Sequence, residues 1–145
     1  MSEMARKQRA RVPGLLLRLE CSFAEVRRAA SQIREYLKGC GLSEKEIWAC
    51  ELAFVEGCNN AVQYTSPADV CKDITVELKL EDNSLELRIY DNTAGCEFPD
   101  QSTLPPVDSE RGRGIYLMRT LMDDVRYLRQ SNTNCLVLKK ALTGI

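Results

Sequence analysis

The stretch IWACELAFVEGCNNAVQY, residues 47–64, places two carboxylates and three carboxamides inside an otherwise apolar helical segment. At about 100° per residue, four polar side chains fall within an arc of roughly 100°: Glu56, Asn59, Asn60 and Gln63. Most of the remaining circumference is apolar, although Glu51 interrupts it. Such a helix is expected to be buried on most sides. The polar stripe therefore faces either solvent or a cleft, and the helix alone leaves both readings open.

The cleft reading has a specific chemistry. Glu56 and Asn60 stand at positions i and i+4 of the predicted helix, so their side chains can point at one spot. An amide oxygen can hold Mg²⁺, which accepts oxygen ligands and keeps waters and phosphates in the rest of its shell. A carboxylate one turn away can accept a proton from a hydroxyl group or a water molecule.

The segments around this helix predict the element order βα, α, ββ, α, ββ. Strands are expected over 14–21, 74–80, 85–91, 125–130 and 134–142, and helices from Phe23 to Lys38 with a stop at Gly39, from 43–46 to Tyr64, and over 113–124. The first two helices open on the capping boxes SFAE and SEKE. Hairpin-joined strands favour an α+β two-layer sandwich, an antiparallel or mixed sheet with helices packed on one face.

Length and charge favour one domain. The chain has 145 residues and a net charge of −1, so no overall field draws it to nucleic acid or to a membrane. Residues 1–12 carry four basic side chains against Glu3 and are interpreted as a flexible tail. Residues 13–145 are interpreted as a single domain.

Composition excludes several classes of site. The chain has no histidine, which rules out a Cys/His zinc finger, a Ser-His-Asp triad and a phospho-accepting histidine within it. Seven cysteines, an odd number without a Cys-x-x-Cys pair, predict reduced thiols in a cytoplasmic protein. No apolar run reaches the roughly 18 residues of a membrane span, and the N-terminus lacks the apolar segment of a signal peptide.

Two further segments bear on the polar stripe. In IYDNTAGCEF, residues 89–98, Asp91 ends a predicted strand and Gly95 follows in the loop. A carboxylate in that place can accept a hydrogen bond from an exocyclic amine, although an Asp-Asn turn is a common strand terminator. In ERGRGIYLM, residues 110–118, a Gly-x-Gly motif leads directly into a helix. It is neither a Walker P-loop nor a GxGxxG fingerprint.

The Gly-x-Gly segment suits a phosphate. Gly112 and Gly114 let the backbone approach a ligand. The helix that follows offers unbonded N–H groups and the positive end of its dipole. Arg111 and Arg113 add positive charge at the same place. The alternative is a flexible turn with two solvated arginines.

Taken together, in this order and spacing, the three segments resemble the N, G1 and G2 boxes of the GHKL (Bergerat-fold) ATPases. The resemblance is strongest to the bacterial anti-sigma-factor serine/threonine kinases and covers residues 14 to 140. ELAFVEGCNNAVQY is similar to the N box of that family, and ERGRGIYLMRTLMDDV to its G2 box and the following helix.

The resemblance implies a role for each matching residue. Glu56 would be the general base that deprotonates the attacking hydroxyl, and Asn60 would bind the Mg²⁺ that bridges the ATP phosphates. Asp91 would accept a hydrogen bond from the adenine amino group. The G1 box of the family usually has a glycine two residues after this aspartate, where the chain has Thr93; Gly95 fits the second glycine of the box.

In the G2 box, Gly112 and Gly114 would let the lid backbone close over the phosphates. Arg111, or as the second choice Arg113, would meet the γ-phosphate. The implied cofactors are ATP or ADP and Mg²⁺.

The resemblance implies an anti-sigma factor with serine/threonine kinase activity. Its partners would be a sigma factor or other regulatory target, a STAS-domain anti-anti-sigma protein whose serine is phosphorylated, and a second copy of the chain, with no direct contact to nucleic acid or membrane. Thr93 keeps a second hypothesis open, a sequestration module without kinase activity. A third hypothesis, the ATPase half of a histidine kinase, would need a phospho-accepting histidine from another protein.

Overall fold

The computed structural model describes residues 14–63, 73–81, 83–92, 113–130 and 133–143. The elements in these ranges are β1 (Leu15–Glu20), α1 (Phe23–Gly39), α2 (Glu44–Gln63), β2 (Asp73–Glu81), β3 (Ser84–Asp91), α3 (Arg113–Leu121), β4 (Asp124–Gln130) and β5 (Thr133–Ala141). The predicted basic tail, residues 1–12, lies outside the described part of the chain. No helix in the described ranges has the length and apolar character needed to span a bilayer.

The strands form one five-stranded sheet in the order β1-β2-β3-β5-β4, and every neighbouring pair is antiparallel. The predicted two-layer α+β fold is therefore confirmed, in its antiparallel form. Inward-facing residues of the strands alternate with partly or fully exposed ones in β2 and β3, as expected when one face of a sheet meets the helices. In the helical layer α2 packs between α1 and α3.

The helix ends follow their capping residues. Ser22 accepts a hydrogen bond from the Glu25 amide at 3.2 Å, and Ser43 and Glu46 cap each other reciprocally, at 3.1 and 2.9 Å. The first helix ends differently from the prediction. Gly39 is still helical, and the residue with positive φ is Gly41, at 84°. A glycine takes this left-handed conformation without a Cβ clash, so Gly41 is the terminator.

The third helix, by contrast, ends earlier than predicted, at Leu121 instead of Asp124. Asp123 leaves the helix because both its backbone amide and its side chain form hydrogen bonds with β5. Its amide donates to the Lys139 carbonyl oxygen at 2.8 Å, and its carboxylate accepts from the Ala141 amide at 2.6 Å. These contacts turn the chain into β4, which the sequence pattern alone does not reveal.

Glu51, which interrupts the apolar side of α2, has a partner on the neighbouring helix. Its Oε1 atom lies 3.0 Å from Arg34 Nη1, and the second nitrogen of the same guanidinium pairs with Glu44 at 3.0 Å. Both pairs are partly exposed and contribute about 1 kcal/mol or less each. Arg34 thus accounts for a carboxylate that the sequence pattern left unexplained.

Gly57 allows α2 to pack closely on the sheet. A methyl group on its Cα would lie 2.7 Å from Leu136 Cδ2 and 2.9 Å from Ile89 Cδ1, closer than real side chains approach. A mid-helix glycine costs about 1 kcal/mol relative to alanine. The close approach explains why glycine stands here, because any side chain would push α2 away from β3 and β5.

Replacing Gly57 with valine is expected to lower the free energy of unfolding by about 1 to 3 kcal/mol, since the added atoms overpack the core. Urea denaturation followed by circular dichroism measures the change. Gly39→Val is the matched control, because a Cβ at Gly39 meets nothing within 4 Å. Equal stability of the two variants would contradict this account of Gly57.

Candidate functional site

The N-terminus of α3 lies against the polar stripe of α2. A methyl group on Gly114, the second residue of α3, would lie 2.8 Å from Glu56 Oε2 and 3.7 Å from Asn60 Oδ1. Two segments far apart in sequence therefore meet at three of the predicted site residues. The stripe faces this junction and not only solvent: Glu56, Asn59 and Asn60 are partly buried.

The surroundings of Glu56 suit a proton acceptor. Burial raises the pKa of its carboxyl group above the ordinary value, because desolvation disfavours the charged form. The N-terminus of α3, whose first N–H groups have no partner within the helix and which is the positive end of the helix dipole, stands directly beside it. The same helix end favours anions such as phosphate groups. The junction thus places a proton-accepting carboxylate, that of Glu56, beside a helix end that favours anions.

Asp91 ends β3 on the helix-facing side of the sheet. Side chains alternate along a strand, so Asp91 shares a face with the buried residues Leu87 and Ile89. Its Oδ1 atom accepts a hydrogen bond from Asn134 Nδ2 at 2.8 Å. Asn134 lies directly opposite in the β3–β5 register, is fully buried, and accepts in turn from Arg129 Nη1 at 2.5 Å.

Sequence reasoning missed Asn134. The signal available was a polar residue at the head of the apolar run NCLVL, where a buried carboxamide needs partners. Without the strand register, nothing in that run indicates that its partner is Asp91. The tertiary structure therefore adds one residue to the predicted set.

Asp91 and the α2 residues belong to one region of the molecule. Cys58 lies on α2 between Glu56 and Asn60, and is fully buried. Burial raises the pKa of its thiol well above the ordinary value, and the charges of Cys21 and Asp91 add to the increase. The Asp91 carboxylate is thus near enough to act on the middle of α2. Gly57 enforces this proximity, since it packs against Ile89, which precedes Asp91 in β3.

The remaining predicted residues are only partly covered by the structure. Gly95, Arg111 and Gly112, together with Thr93, lie outside the described residues. Arg113 is described only as the first residue of α3, so its side chain is not placed. The predictions for these residues stay predictions.

The junction fits a magnesium ion by the chemistry of its donors. Glu56 Oε2 and Asn60 Oδ1 both point toward the space that a side chain at Gly114 would fill. Carboxylate and amide oxygens are ligands that Mg²⁺ accepts, and the ion takes its remaining ligands from water and phosphate. The described residues contain no group of three or more Cys, Asp or Glu side chains that could hold a metal by themselves.

A separate cavity of about 400 Å³ lies at the other end of the helical layer. It is lined by Trp48, Lys45 and Glu46 of α2 and by residues at the ends of α3 and β5. Among the predicted site residues that the structure describes, none lines it. The cavity is therefore distinct from the junction of α2 and α3.

Comparison with known proteins shows the family to which this chain is similar. The family described as the histidine kinase-like ATPase domain matches residues 19–140. The serine-protein kinase RsbW of Bacillus cereus is 31% identical over 108 residues, which cover 68% of this chain and 67% of the relative. The RsbW of Bacillus licheniformis is 37% identical over 95 residues, 59% of each chain.

Solved structures share the fold at lower identity. The RsbU and RsbW domains of a Mycobacterium tuberculosis protein match with a TM-score of 0.68 and 22% identity; the match covers 90% of this chain and 33% of that one. The SiaB–SiaC complex of Pseudomonas aeruginosa matches with a TM-score of 0.61 and 12% identity, covering 98% and 99%. These likenesses confirm the architecture. On the family match and the RsbW similarity, the chain belongs to the histidine kinase-like ATPase family, within the group of the RsbW serine-protein kinases.

Proposed function

We propose that this chain is an anti-sigma factor with serine/threonine kinase activity, which binds Mg·ATP, sequesters a sigma factor and phosphorylates a serine of a STAS-domain anti-anti-sigma protein. The observation that carries the proposal is the junction where Glu56, Asn60 and the start of α3 converge on Gly114. The RsbW relatives, which are named serine-protein kinases, support the same activity. The chain would act in the cytoplasm, as a homodimer, through residues 13–145.

In the proposed reaction Glu56 accepts the proton of the serine hydroxyl. The hydroxyl oxygen forms a bond to the γ-phosphorus, the bond from that phosphorus to the β,γ-bridging oxygen breaks, and ADP leaves. Phosphoryl transfer depends mainly on positioning and charge neutralisation. Desolvation helps Glu56 in this role, because a carboxyl group with a raised pKa is a stronger base.

The other residues bind and orient the nucleotide. Asn60 would hold Mg²⁺, which when bound neutralises phosphate charge. The N–H groups at the start of α3 and the backbone at Gly112 and Gly114 would face the phosphates. Arg111, or Arg113 in second place, would meet the γ-phosphate. Asp91 and the loop with Gly95 would bind adenine.

Calorimetric titration with ATP and ADP, with and without Mg²⁺, tests the proposal. Asn60→Ala is expected to lower Mg²⁺-dependent ATP affinity by about 100-fold or more, because losing even a residue that only supports a metal ligand costs about 10- to 100-fold. Binding without Mg²⁺ should change little. Asn59→Ala is the matched control, because Asn59 is the neighbouring carboxamide and is also partly buried. A folded wild-type chain that binds no nucleotide would refute the proposal.

Thr93 favours a second candidate function, sequestration of the partner without kinase activity. A β-branched residue does not easily take the positive φ that a glycine allows, so the adenine loop would differ from that of the family. Partner binding measured with Glu56→Ala separates the two functions. Sequestration alone predicts unchanged binding and an unchanged regulatory phenotype, whereas the kinase predicts a lost phenotype in a folded protein.

A further inference from the structure

The cavity beside Trp48, away from the junction of α2 and α3, is lined by two lysines. Lys45 is exposed, and in the part of the chain that the structure describes it has no ion-pair partner. Lys140 donates a hydrogen bond to the Leu121 carbonyl oxygen at 2.9 Å, and an ammonium group has two further N–H donors. Two positive charges therefore line a space of about 400 Å³.

Glu46, the acidic residue of the cavity wall, is engaged in bonds within the chain. Its Oε1 atom accepts from the Ser43 amide at 2.9 Å, and its Oε2 atom accepts from the Thr143 amide at 3.0 Å and from the Thr143 hydroxyl at 3.2 Å. Three donors thus already surround this carboxylate. Two lysines against one glutamate leave the wall of the cavity with a positive net charge, which favours an anionic occupant.

Trp48 gives the cavity an exposed apolar wall. The residue is 54% exposed, although tryptophan is highly buried on average. Leu121, Ala49 and Ala141 line the same cavity. Aromatic residues are enriched in protein–protein interfaces and among the side chains that contribute most to binding. A small molecule inside the cavity would leave the outer part of the indole in water, whereas a peptide segment would cover both the cavity and the indole.

We infer that this cavity is the docking site for an acidic segment of another protein, whose leucine-like or aromatic side chain enters beside Trp48 and whose carboxylates pair with Lys45 and Lys140. Charge complementarity selects this occupant. The chain's own residues 1–12, with four basic side chains against Glu3, have the wrong sign. The inference goes beyond the proposed function and does not depend on it.

A docked segment would lie beside the junction and leave it open. The last turn of α3, at Thr120 and Leu121, lines the cavity, whereas Gly114 near its start lies against Glu56. At a rise of about 1.5 Å per residue, Gly114 and Thr120 are about 9 Å apart along the helix axis. The docking site and the junction are therefore separate places on the same helix.

The fluorescence of Trp48 tests the inference directly, because the chain has no other tryptophan. The probe is a synthetic peptide without tryptophan, in which two central leucines are flanked by aspartate and glutamate. Titrated into the full chain at low salt, it should shift the emission to shorter wavelength and reach saturation. A peptide with lysines in place of the acids, and one with alanines in place of the leucines, should each bind about tenfold more weakly or worse.

Lys45→Glu should weaken binding of the acidic leucine peptide by about 3- to 10-fold, through loss of an exposed ion pair and the repulsion that replaces it. Lys79→Glu is the matched control, because it reverses the charge of an exposed lysine on the opposite face of the sheet. Trp48→Ala should abolish binding in a calorimetric titration. Since more than half of Trp48 is exposed, this variant should fold, which circular dichroism checks.

Equal binding of the three peptides would overturn the inference, and so would equal effects of Lys45→Glu and Lys79→Glu. An emission that none of the peptides shifts at millimolar concentration would overturn it as well. Emission that shifts with protein concentration alone, together with dimer formation in analytical ultracentrifugation, would assign the cavity to a second copy of the chain instead. These measurements need no nucleotide, so their failure leaves the proposed function standing.

A second readout needs no peptide. Iodide, an anion, should quench the fluorescence of Trp48 more strongly than caesium does, because the two lysines attract anions to the cavity. Lys45→Glu should reduce this difference, and Lys79→Glu should leave it unchanged. Stronger quenching by caesium in the wild type would show that Glu46 dominates the local field, and would overturn the choice of an acidic occupant.

Discussion

Replacing Glu56 with glutamine is expected to slow phosphate transfer to the proposed STAS-domain partner by about 10²- to 10⁴-fold, the usual contribution of a positioned general base. Glutamine keeps the size of the side chain at the junction with Gly114, so Mg·ATP binding should persist. Transfer of radiolabelled γ-phosphate measures the rate, and calorimetry measures the binding. The substitution should therefore lower the rate of phosphate transfer and leave the affinity for Mg·ATP unchanged.

Glu51→Gln is the matched control, because Glu51 lies on the same helix and pairs with Arg34 away from the junction. It should leave both readouts close to those of the wild type. A Glu56→Gln variant that transfers phosphate at the wild-type rate would show that another group accepts the proton.

Glu56→Gln is also expected to change the stability of the protein. The pKa of Glu56 is raised in the folded state, so the folded chain binds its proton more tightly than the unfolded chain. The Glu56 contribution to stability is therefore fully present below the unfolded pKa and is lost as pH rises through the folded pKa. Glu56→Gln should gain stability relative to the wild type at neutral pH and less at acidic pH, as measured by urea denaturation at both.

Gly114→Ala is expected to separate stability from activity. The added methyl group would lie 2.8 Å from Glu56 Oε2 and must displace that carboxylate. A displacement of about 1 Å at a reacting group can cost about 100-fold in rate. The carboxylate is the end of a flexible side chain, and alanine favours helix by up to about 1 kcal/mol, so stability should hold or rise.

The phosphate-transfer rate and the unfolding free energy are measured on the same preparation. Gly39→Ala serves as the control, since it also places alanine on a helix but meets nothing within 4 Å. Lost stability in Gly114→Ala together with lost activity would mean that the contact is structural. Unchanged activity would mean that Glu56 Oε2 does not act from this position.

Local patterns were sufficient for most of the elements. Apolar periodicity and two capping boxes, at Ser22 and Ser43, predicted the first two helices with their starts. The C-terminal ends of the first and third helices were harder to predict from the sequence. The stop at Gly41 depends on a backbone conformation, and the stop of α3 at Leu121 depends on bonds from Asp123 to β5, which is distant in sequence. Contacts of that kind leave no periodic signal.

In the candidate site, too, some features could be predicted from the local sequence and others depend on tertiary packing. The spacing of Glu56 and Asn60 on one helical face is a local property, and it was visible in the sequence. Their meeting with Gly114 depends on how α2 and α3 pack, and the partner of Asp91 depends on strand register across 43 positions of the chain. Asn134 therefore could not be found from its own surroundings.

The sequence by itself determined the kinds of element, the polar stripe on α2 and the resemblance to the histidine kinase-like ATPases, because each of these is written in residues close to one another. The tertiary structure alone decided the strand order β1-β2-β3-β5-β4, the closeness of α2 to the sheet at Gly57 and the bond from Asn134 to Asp91. These features arise from pairing and packing between distant segments, whose free energy is gained only when the whole sheet and its helical layer form together.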